Sequence, residues 1–235
     1  MATDLNLPKH IGIIMDGNRR FATMLGEESW KGHFYGAEKV EEVLDWCREL
    51  NIKTLTVWAF SMENFSRAAE EVSVIMDIFV KYFNKFANDE RVHKNKVQLK
   101  VVGNLGLFPK EVQAAAQDAM EKTKSHDRFE FNVVMGYGGR QEILDAAKKV
   151  ADKLKSGEIM QVDKDVFESH LCSRDVPDVD LVIRTSGEQR TSGFLMWKSD
   201  YAEYYFCEKL WPEFEKEDLI KAIVDYSERK RRFGK

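Results

Sequence analysis

Ile11-Gly-Ile-Ile-Met-Asp-Gly-Asn-Arg-Arg20 is the stretch from which this chain is read. Ile11, Ile13, Ile14 and Met15 run into an acid, a glycine, an amide and two arginines, the pattern of a buried strand emptying into a tight polar loop. Phe21-Ala-Thr-Met-Leu25 follows as the start of a helix. A strand-to-helix loop presents backbone N–H groups without intrahelical partners, and anions are favoured there. Gly17 lets the backbone approach a ligand closely, while Arg19 and Arg20 add fixed positive charge. Asp16 is the odd member, because a carboxylate repels a phosphate unless a cation lies between them. The set therefore points to a metal–phosphate site, with Mg²⁺ as the ion, since Mg²⁺ binds through one or two carboxylates plus substrate phosphates. The competing reading is a solvated turn capped by Asp16 or Asn18.

Composition bounds the rest. The 235 residues suit one domain, 43% are hydrophobic and 32% charged, and the net charge is −4, which together predict a globular protein with a substantial core. Overall acidity gives no support to nucleic-acid binding and makes any local arginine cluster more informative. Cys47, Cys172 and Cys207 are scattered, which fits reduced thiols in a cytoplasmic protein better than a disulfide framework or a zinc site. The stretch 1–8 carries Asp4 and no apolar core, so it does not read as a signal peptide. No apolar run approaches the roughly 18 residues of a membrane span.

Taken in order, 27–33 reads as a mobile, glycine-containing linker and 37–50 as a helix with Val40, Val43, Leu44, Cys47 and Leu50 at helical spacing. Residues 54–60 form a strand that ends in a second polar loop, 61–67. The next helix, about 70–86, is apolar on more than one side. Val72, Ile75, Met76, Phe79, Val80, Phe83 and Phe86 make one stripe, and Val74, Ile78 and Tyr82 broaden it. A surface helix needs one apolar face, so a second contact is expected: a dimer interface, deep burial or the wall of a lipid-binding cavity. Strands at 98–103 and 129–136, helices at 109–124 and from 140 through 155, and a short helix at 163–172 follow. A fifth strand, 180–185, leads into a third polar loop, 186–192; 201–206 reads as a sixth strand carrying Glu203, and 216–230 as the last helix. Alternating strands and helices predict an α/β fold with a largely parallel sheet.

In such a sheet ligands bind beyond the carboxyl ends of the strands. Three polar loops follow strands, and they would bring Arg19, Arg20, Arg67, Arg184 and Arg190 to one rim. Arginine suits bidentate phosphate recognition, and five exceed the needs of one diphosphate. Gly-x-x-x-x-Gly-Lys-[Ser/Thr] and Gly-x-Gly-x-x-Gly are absent, which argues against nucleotide sites. Two diphosphates, a metal and an apolar wall suggest prenyl diphosphate chemistry.

The ordered motifs carry a resemblance. His10-Ile-Gly-Ile-Ile-Met-Asp-Gly-Asn-Arg-Arg20, Gly32-His33, Ala59-Phe-Ser-Met-Glu-Asn-Phe-Ser-Arg67, Gly136-Tyr-Gly-Gly-Arg140, Asp180-Leu-Val-Ile-Arg-Thr-Ser-Gly-Glu-Gln-Arg-Thr-Ser192 and Tyr201-Ala-Glu-Tyr-Tyr-Phe206 resemble those of the cis-prenyltransferases, the undecaprenyl and dehydrodolichyl diphosphate synthases. The resemblance spans about residues 8–234. It implies an enzyme that adds isopentenyl diphosphate to an allylic prenyl diphosphate with cis geometry. The implied fold is a parallel six-stranded sheet flanked by helices, with an elongated apolar tunnel, in a homodimer. It implies that Asp16 helps hold Mg²⁺ and the diphosphates. Gly17, Asn18, Arg19 and Arg20 would cradle the allylic diphosphate, with Phe21 and His33 beside it. Arg67, Arg184, Arg190 and Ser192 would grip isopentenyl diphosphate, with Ser61, Glu63 and Phe65 alongside. Asn64 matches the family's proton acceptor, a diphosphate oxygen being the competing one because an amide is a weak base. Glu203 matches a second metal ligand near the partner's site.

Departures are specific. Ser29 stands where many members have arginine, with Lys31 as a candidate replacement; Gln189, Ala68 and Gly193 also differ from common residues, in an archaeal- or eukaryote-like pattern. Head-to-middle prenyl condensation and a non-catalytic prenyl-binding subunit are the alternatives. Phe131 is expected to point inward and limit product length. The basic run 229–232 offers a peripheral membrane contact, against the reading of a solvated helix end.

Overall fold

The computed structural model describes residues 6–229. Apart from Arg229, the basic run 229–232 lies outside the described residues, as does residue 230, the expected end of the last helix. Six strands, β1 (His10–Ile14), β2 (Thr54–Ser61), β3 (Val97–Val102), β4 (Phe129–Tyr137), β5 (Leu181–Arg184) and β6 (Glu203–Phe206), pair in parallel in the order β3-β4-β2-β1-β5-β6. The expected sixth strand is shorter than 201–206, beginning at Glu203. Strands β1 and β5 are buried along their whole length, as expected where a parallel sheet is covered on both faces.

Alternation along the strands divides the core. Ile11, Ile13, Leu55, Val57, Leu99, Phe131, Val133 and Ile183 face one side. There they pack under α2 (Gly32–Glu49), α3 (Ala69–Asn88), the helix Lys110–Thr123 and the C-terminal helix Lys216–Glu228. Ile14, Val134 and Val182 face the other side, against Val176, Val179, Phe194 and Leu195 from the long segment preceding β6.

The stretch 27–33 is built differently from the linker its composition suggested. Ser29–Lys31 forms a turn of 3₁₀ helix and Gly32 opens α2, five residues earlier than the apolar periodicity placed it. A Cβ on Gly32 would lie 1.9 Å from the carbonyl oxygen of Asn18, so glycine is what lets this turn close on the preceding helix, α1 (Asn18–Met24). Glu27 ties the turn down by accepting from Tyr35 Oη at 3.1 Å and pairing with Lys31 at 3.9 Å. The expected short helix at 163–172 spans Lys164–Glu168, capped by Asp163 through the Val166 N–H at 2.8 Å.

The broad apolar stripe on α3 has two outlets. Met76, Phe79, Phe83 and Ala87 join the sheet-side core. Ile75, Ile78, Phe79, Tyr82, Phe83 and Phe86 line a cavity of about 180 Å³ between α3, α2 and the sheet. Of the three contacts that the stripe allowed, deep burial is found for Met76, Phe79, Phe83 and Ala87, and part of the stripe also borders a cavity.

Candidate active site

β1, β2 and β5 end on the same edge of the sheet because the strands are parallel, and their polar loops meet there. Between them opens a cleft of about 960 Å³ lined by Asp16, Gly17, Asn18, Arg19, Arg20, Ser29, His33, Ser61, Asn64, Arg67, Arg184 and Ser192. Gly17 sits at φ +109° as the N-cap of α1, a left-handed backbone that glycine adopts at little cost. A Cβ there would also approach Leu210 at 2.9 Å. No side chain caps α1, which removes the capped-turn reading and leaves its first N–H groups free of a side-chain cap at the cleft.

Asp16 is held from several directions. Its backbone N–H donates to Thr185 Oγ1 at 3.0 Å, and Thr185 donates back to the Asp16 carbonyl at 2.6 Å. Its Oδ2 accepts from Arg184 Nη2 at 2.8 Å, and Oδ1 lies 3.5 Å from Arg20 Nη2. Burial opposes ionisation of this carboxyl, but the hydrogen bond and charge of Arg184, with Arg20, outweigh it and hold its pKa below the usual 3.8. Arg184, itself 5% exposed, also donates from Nη1 to the Arg190 carbonyl at 2.6 Å and to Ser192 Oγ at 3.0 Å. Its Nε is buried without a protein acceptor.

A second cluster lies on the α2–α3 side, around a residue that motif reading passed over. Glu71, buried in the first turn of α3, accepts from Arg67 Nη1 at 3.0 Å, lies 2.9 Å from His33 Nε2 and 3.8 Å from Arg19 Nε. Arg67 and Glu71 are four residues apart, the spacing of neighbours on a helix surface, and that was the available signal. Burial pushes the His33 pKa below 6.5, helped by the charges of Arg67 and Arg19 against the Glu71 hydrogen bond, so this ring is neutral near pH 7. Burial would raise Glu71, but its His33 hydrogen bond and the Arg67 and Arg19 charges hold it below 4.5.

Other expected residues stand at various distances from this centre. Asn64 Oδ1 accepts the Ser61 N–H at 2.9 Å, closing a capping box on the turn Met62–Ser66. Phe65 packs on Phe60 and Phe108, and Phe21 on Tyr35, so both support the loops from behind, while Glu63 is exposed. Arg190 turns outward to pair with Glu188 and contributes its carbonyl to Arg184. Lys31 pairs with Glu27. Glu203 begins β6 at the opposite edge of the sheet and accepts from Arg229 Nη1 at 2.9 Å, so one chain does not bring it to Asp16. Trp58, Leu210 and Glu213 line the cleft as well, brought there by sheet register and by the turn Trp211–Glu213.

Among the described residues no group of three or more His, Cys, Asp or Glu side chains could hold a metal. The cleft offers the Asp16 carboxylate with arginines around it. That donor set suits an ion bound through one carboxylate plus phosphate oxygens and does not suit an all-protein metal centre.

Met15, Asn18, His33 and Ala59 line both the cleft and the apolar cavity, so the charged and hydrocarbon-like environments share a wall. A parallel sheet with an arginine-rich cleft beside an apolar cavity defines a class of enzyme that handles a diphosphate carrying a hydrocarbon chain. The undecaprenyl diphosphate synthase family model matches residues 14–234. The tritrans,polycis-undecaprenyl-diphosphate synthase (geranylgeranyl-diphosphate specific) of Methanocaldococcus jannaschii is 49% identical over 234 residues, covering 98% of this chain and 84% of that protein. The isoprenyl transferase of Thermus thermophilus is 43% identical, covering 97% and 89%. Among solved structures, lavandulyl diphosphate synthase from Lavandula x intermedia, in complex with dimethylallyl diphosphate, matches with a TM-score of 0.92 and 33% identity, covering 97% of this chain and 99% of that one. The chain belongs to the undecaprenyl diphosphate synthase family, the cis-prenyltransferases, and is a prenyl-transferring enzyme.

Proposed function

We propose that this protein condenses isopentenyl diphosphate with an allylic prenyl diphosphate, geranylgeranyl diphosphate foremost, to build a cis-polyprenyl diphosphate with release of diphosphate. The observation that carries this is the shared wall between the arginine cleft and the apolar cavity. A cleft of this kind takes the charged heads while the cavity takes a growing tail. The primer follows the relatives, whose names specify geranylgeranyl diphosphate.

Asp16, together with substrate phosphates, would hold Mg²⁺, which would supply charge neutralisation at the departing diphosphate. Arg19, Arg20 and the uncapped α1 N-terminus face the allylic diphosphate and stabilise the negative charge that develops as its C–O bond breaks. Arg184 and Ser192, with Arg67, hold the incoming isopentenyl diphosphate so that its double bond meets the allylic carbon, and orientation supplies a large part of the rate. The carbon–carbon bond forms, and the proton lost to complete the new alkene goes to a diphosphate oxygen. Asn64, whose oxygen already accepts the Ser61 N–H, positions that loop. Neutral His33 adds no charge that would compete with the arginines.

The homodimer belongs to the same proposal. β6 is an edge strand, and Glu203 at its start would serve as a metal ligand toward a partner's site. No helix among the described residues is long and apolar enough to cross a membrane, and a peripheral membrane contact fits a lipid product.

The test is product analysis. Purified protein is incubated with Mg²⁺, labelled isopentenyl diphosphate and, in turn, dimethylallyl, geranyl, farnesyl or geranylgeranyl diphosphate. A ladder of cis products, most efficient from geranylgeranyl diphosphate, is expected. A branched ten-carbon product from dimethylallyl diphosphate alone would move the assignment to head-to-middle condensation. Absence of incorporation from every primer, with folded protein, would overturn it.

A further inference from the structure

Asp16 and Glu71 each stand between two arginines, but they are set differently. Asp16 lines the cleft with 30% of its side chain exposed, 2.8 Å from Arg184 and 3.5 Å from Arg20. Glu71 lies 3.0 Å from Arg67, 3.8 Å from Arg19 and 2.9 Å from His33 Nε2. Only 8% of its side chain is exposed, and it does not line the cleft although all three of its partners do. A carboxylate at the surface can take up a metal ion. One set back behind two guanidiniums reaches a ligand only through them.

The three contacts converge on one oxygen, Glu71 Oε1. They come from separate parts of the chain: Arg19 from α1, His33 from α2 and Arg67 from the turn that follows β2. Arg19 serves the allylic side of the proposed site and Arg67 the isopentenyl side, so Glu71 is where the two halves meet. Its charge is needed while the cleft is empty, because two guanidiniums drawn to one atom repel each other. Burial lowers the Arg67 pKa below its usual value, Glu71 opposes that shift and the Arg19 charge adds to it. Neutral His33 shares the oxygen without adding charge.

A diphosphate reverses the balance. Each guanidinium carries five N–H donors, so the anion can engage Arg67 and Arg19 at nitrogens other than those facing Glu71. Arg19, met at Nε and beyond hydrogen-bond distance, is the looser of the two. Glu71 then opposes the ligand: a negative charge held in a buried wall reduces the attraction that the arginines exert on a bound anion. Each round of elongation leaves a free diphosphate among Arg19, Arg20, Arg67 and Arg184, and an anion held equally well before and after the reaction gains nothing in rate and leaves slowly.

Resting on the elongation assignment, we infer that Glu71 is a positioning residue that serves as the resident counter-ion of Arg67 and Arg19. It holds them in the empty cleft, competes with the bound diphosphate for them, and so hastens release of inorganic diphosphate after each condensation.

The experiment measures binding of inorganic diphosphate by calorimetry, without added metal, to the unmodified protein, Glu71→Gln and Glu71→Asp. Glutamine keeps the shape and the acceptor oxygen and removes the charge. Diphosphate is expected to bind Glu71→Gln more tightly by about fivefold or more, the low end of coupling between two ligands of one protein. Glu71→Asp, which draws the charge back by one methylene, should fall between the two, and it carries the test alone if Glu71→Gln does not fold. With Mg²⁺, geranylgeranyl diphosphate and labelled isopentenyl diphosphate, steady-state turnover of Glu71→Gln should fall further than its single-turnover rate, the split that marks slowed release. A merely structural role predicts the opposite sign, weaker diphosphate binding with both rates reduced alike. Equal or weaker binding by the folded variants, with normal incorporation by the unmodified protein, overturns the counter-ion alone. No incorporation by the unmodified protein overturns the elongation assignment, and tighter binding in Glu71→Gln would still uphold Glu71 as the competitor for diphosphate.

Discussion

The cleft and the cavity share a wall and are governed by opposite physics. In the cleft, burying Asp16, Glu71, Arg184 and Arg67 is tolerable because each carries opposite charge at hydrogen-bond distance, which offsets the desolvation that buried charges otherwise suffer. Its geometry is thereby fixed by a few short contacts, and one lost partner leaves another charge stranded. In the cavity, Ile75, Ile78, Phe79, Phe83 and Phe131 offer no directional contacts; only volume and shape matter there, and side-chain packing adjusts in small steps. Damage to the cleft should therefore act on whether the reaction occurs, and damage to the cavity on how far it goes.

The sharpest way to break that contrast is Asp16→Ala. It removes the carboxylate that carries the metal reading and leaves buried Arg184 without its 2.8 Å partner. Turnover is expected to fall by about a thousandfold or more, as for loss of a principal electrostatic group, measured as labelled isopentenyl incorporation at saturating Mg²⁺. Activity near the parent level would show that the cleft does not depend on this residue. Phe131→Ala probes the other side. It should lengthen the product ladder while costing about 3 kcal/mol of stability, as buried Phe→Ala changes do, read by chromatography of products and by denaturant unfolding. An unchanged ladder would mean that the floor of the cavity lies elsewhere.

Acidification gives the smallest effect and acts through buried titrating groups in two pH windows. Burial holds His10 and His33 below their usual 6.5. As pH falls the unfolded chain takes up these protons first, so the stability contributed by the neutral rings is full above about 6.5 and declines below it. Asp16 and Glu71 are held below 3.8 and 4.5 by their cationic partners despite burial, and their contribution is lost only as pH drops further, beginning near 4.5. Unfolding free energy measured from about pH 8 down to about pH 2 should decline in those two windows. In Glu71→Gln the lower-pH decline should shrink; an identical profile would deny Glu71 its ion-paired state.

Much of the cleft was legible because its residues follow directly on strands. Asp16, Ser61, Arg67 and Arg184 sit within a few residues of apolar β-branched runs, and a parallel sheet sends every such run's end to one edge. Other features were illegible because they depend on who meets whom across the fold. Arg190 lies in the right loop, yet its side chain turns to Glu188 while its carbonyl serves Arg184. Glu203 falls at the beginning of a strand, so direction alone sends it to the opposite edge. The mobile-linker reading of 27–33 failed on Gly32, whose missing Cβ is a contact with Asn18 rather than a break in structure.

By itself the sequence determined the α/β alternation, the arginine-bearing strand ends, the unusually wide apolar face of α3 and the family. Tertiary structure decided that Glu71 gathers His33, Arg67 and Arg19, and that Trp58, Leu210 and Glu213 wall the cleft. The reason is physical. Periodicity reports which face of an element is apolar, a local property, whereas the pairing of Glu71 with Arg19 or Asp16 with Arg184 depends on sheet register and on how helices lie across it, set by the packing of the whole core.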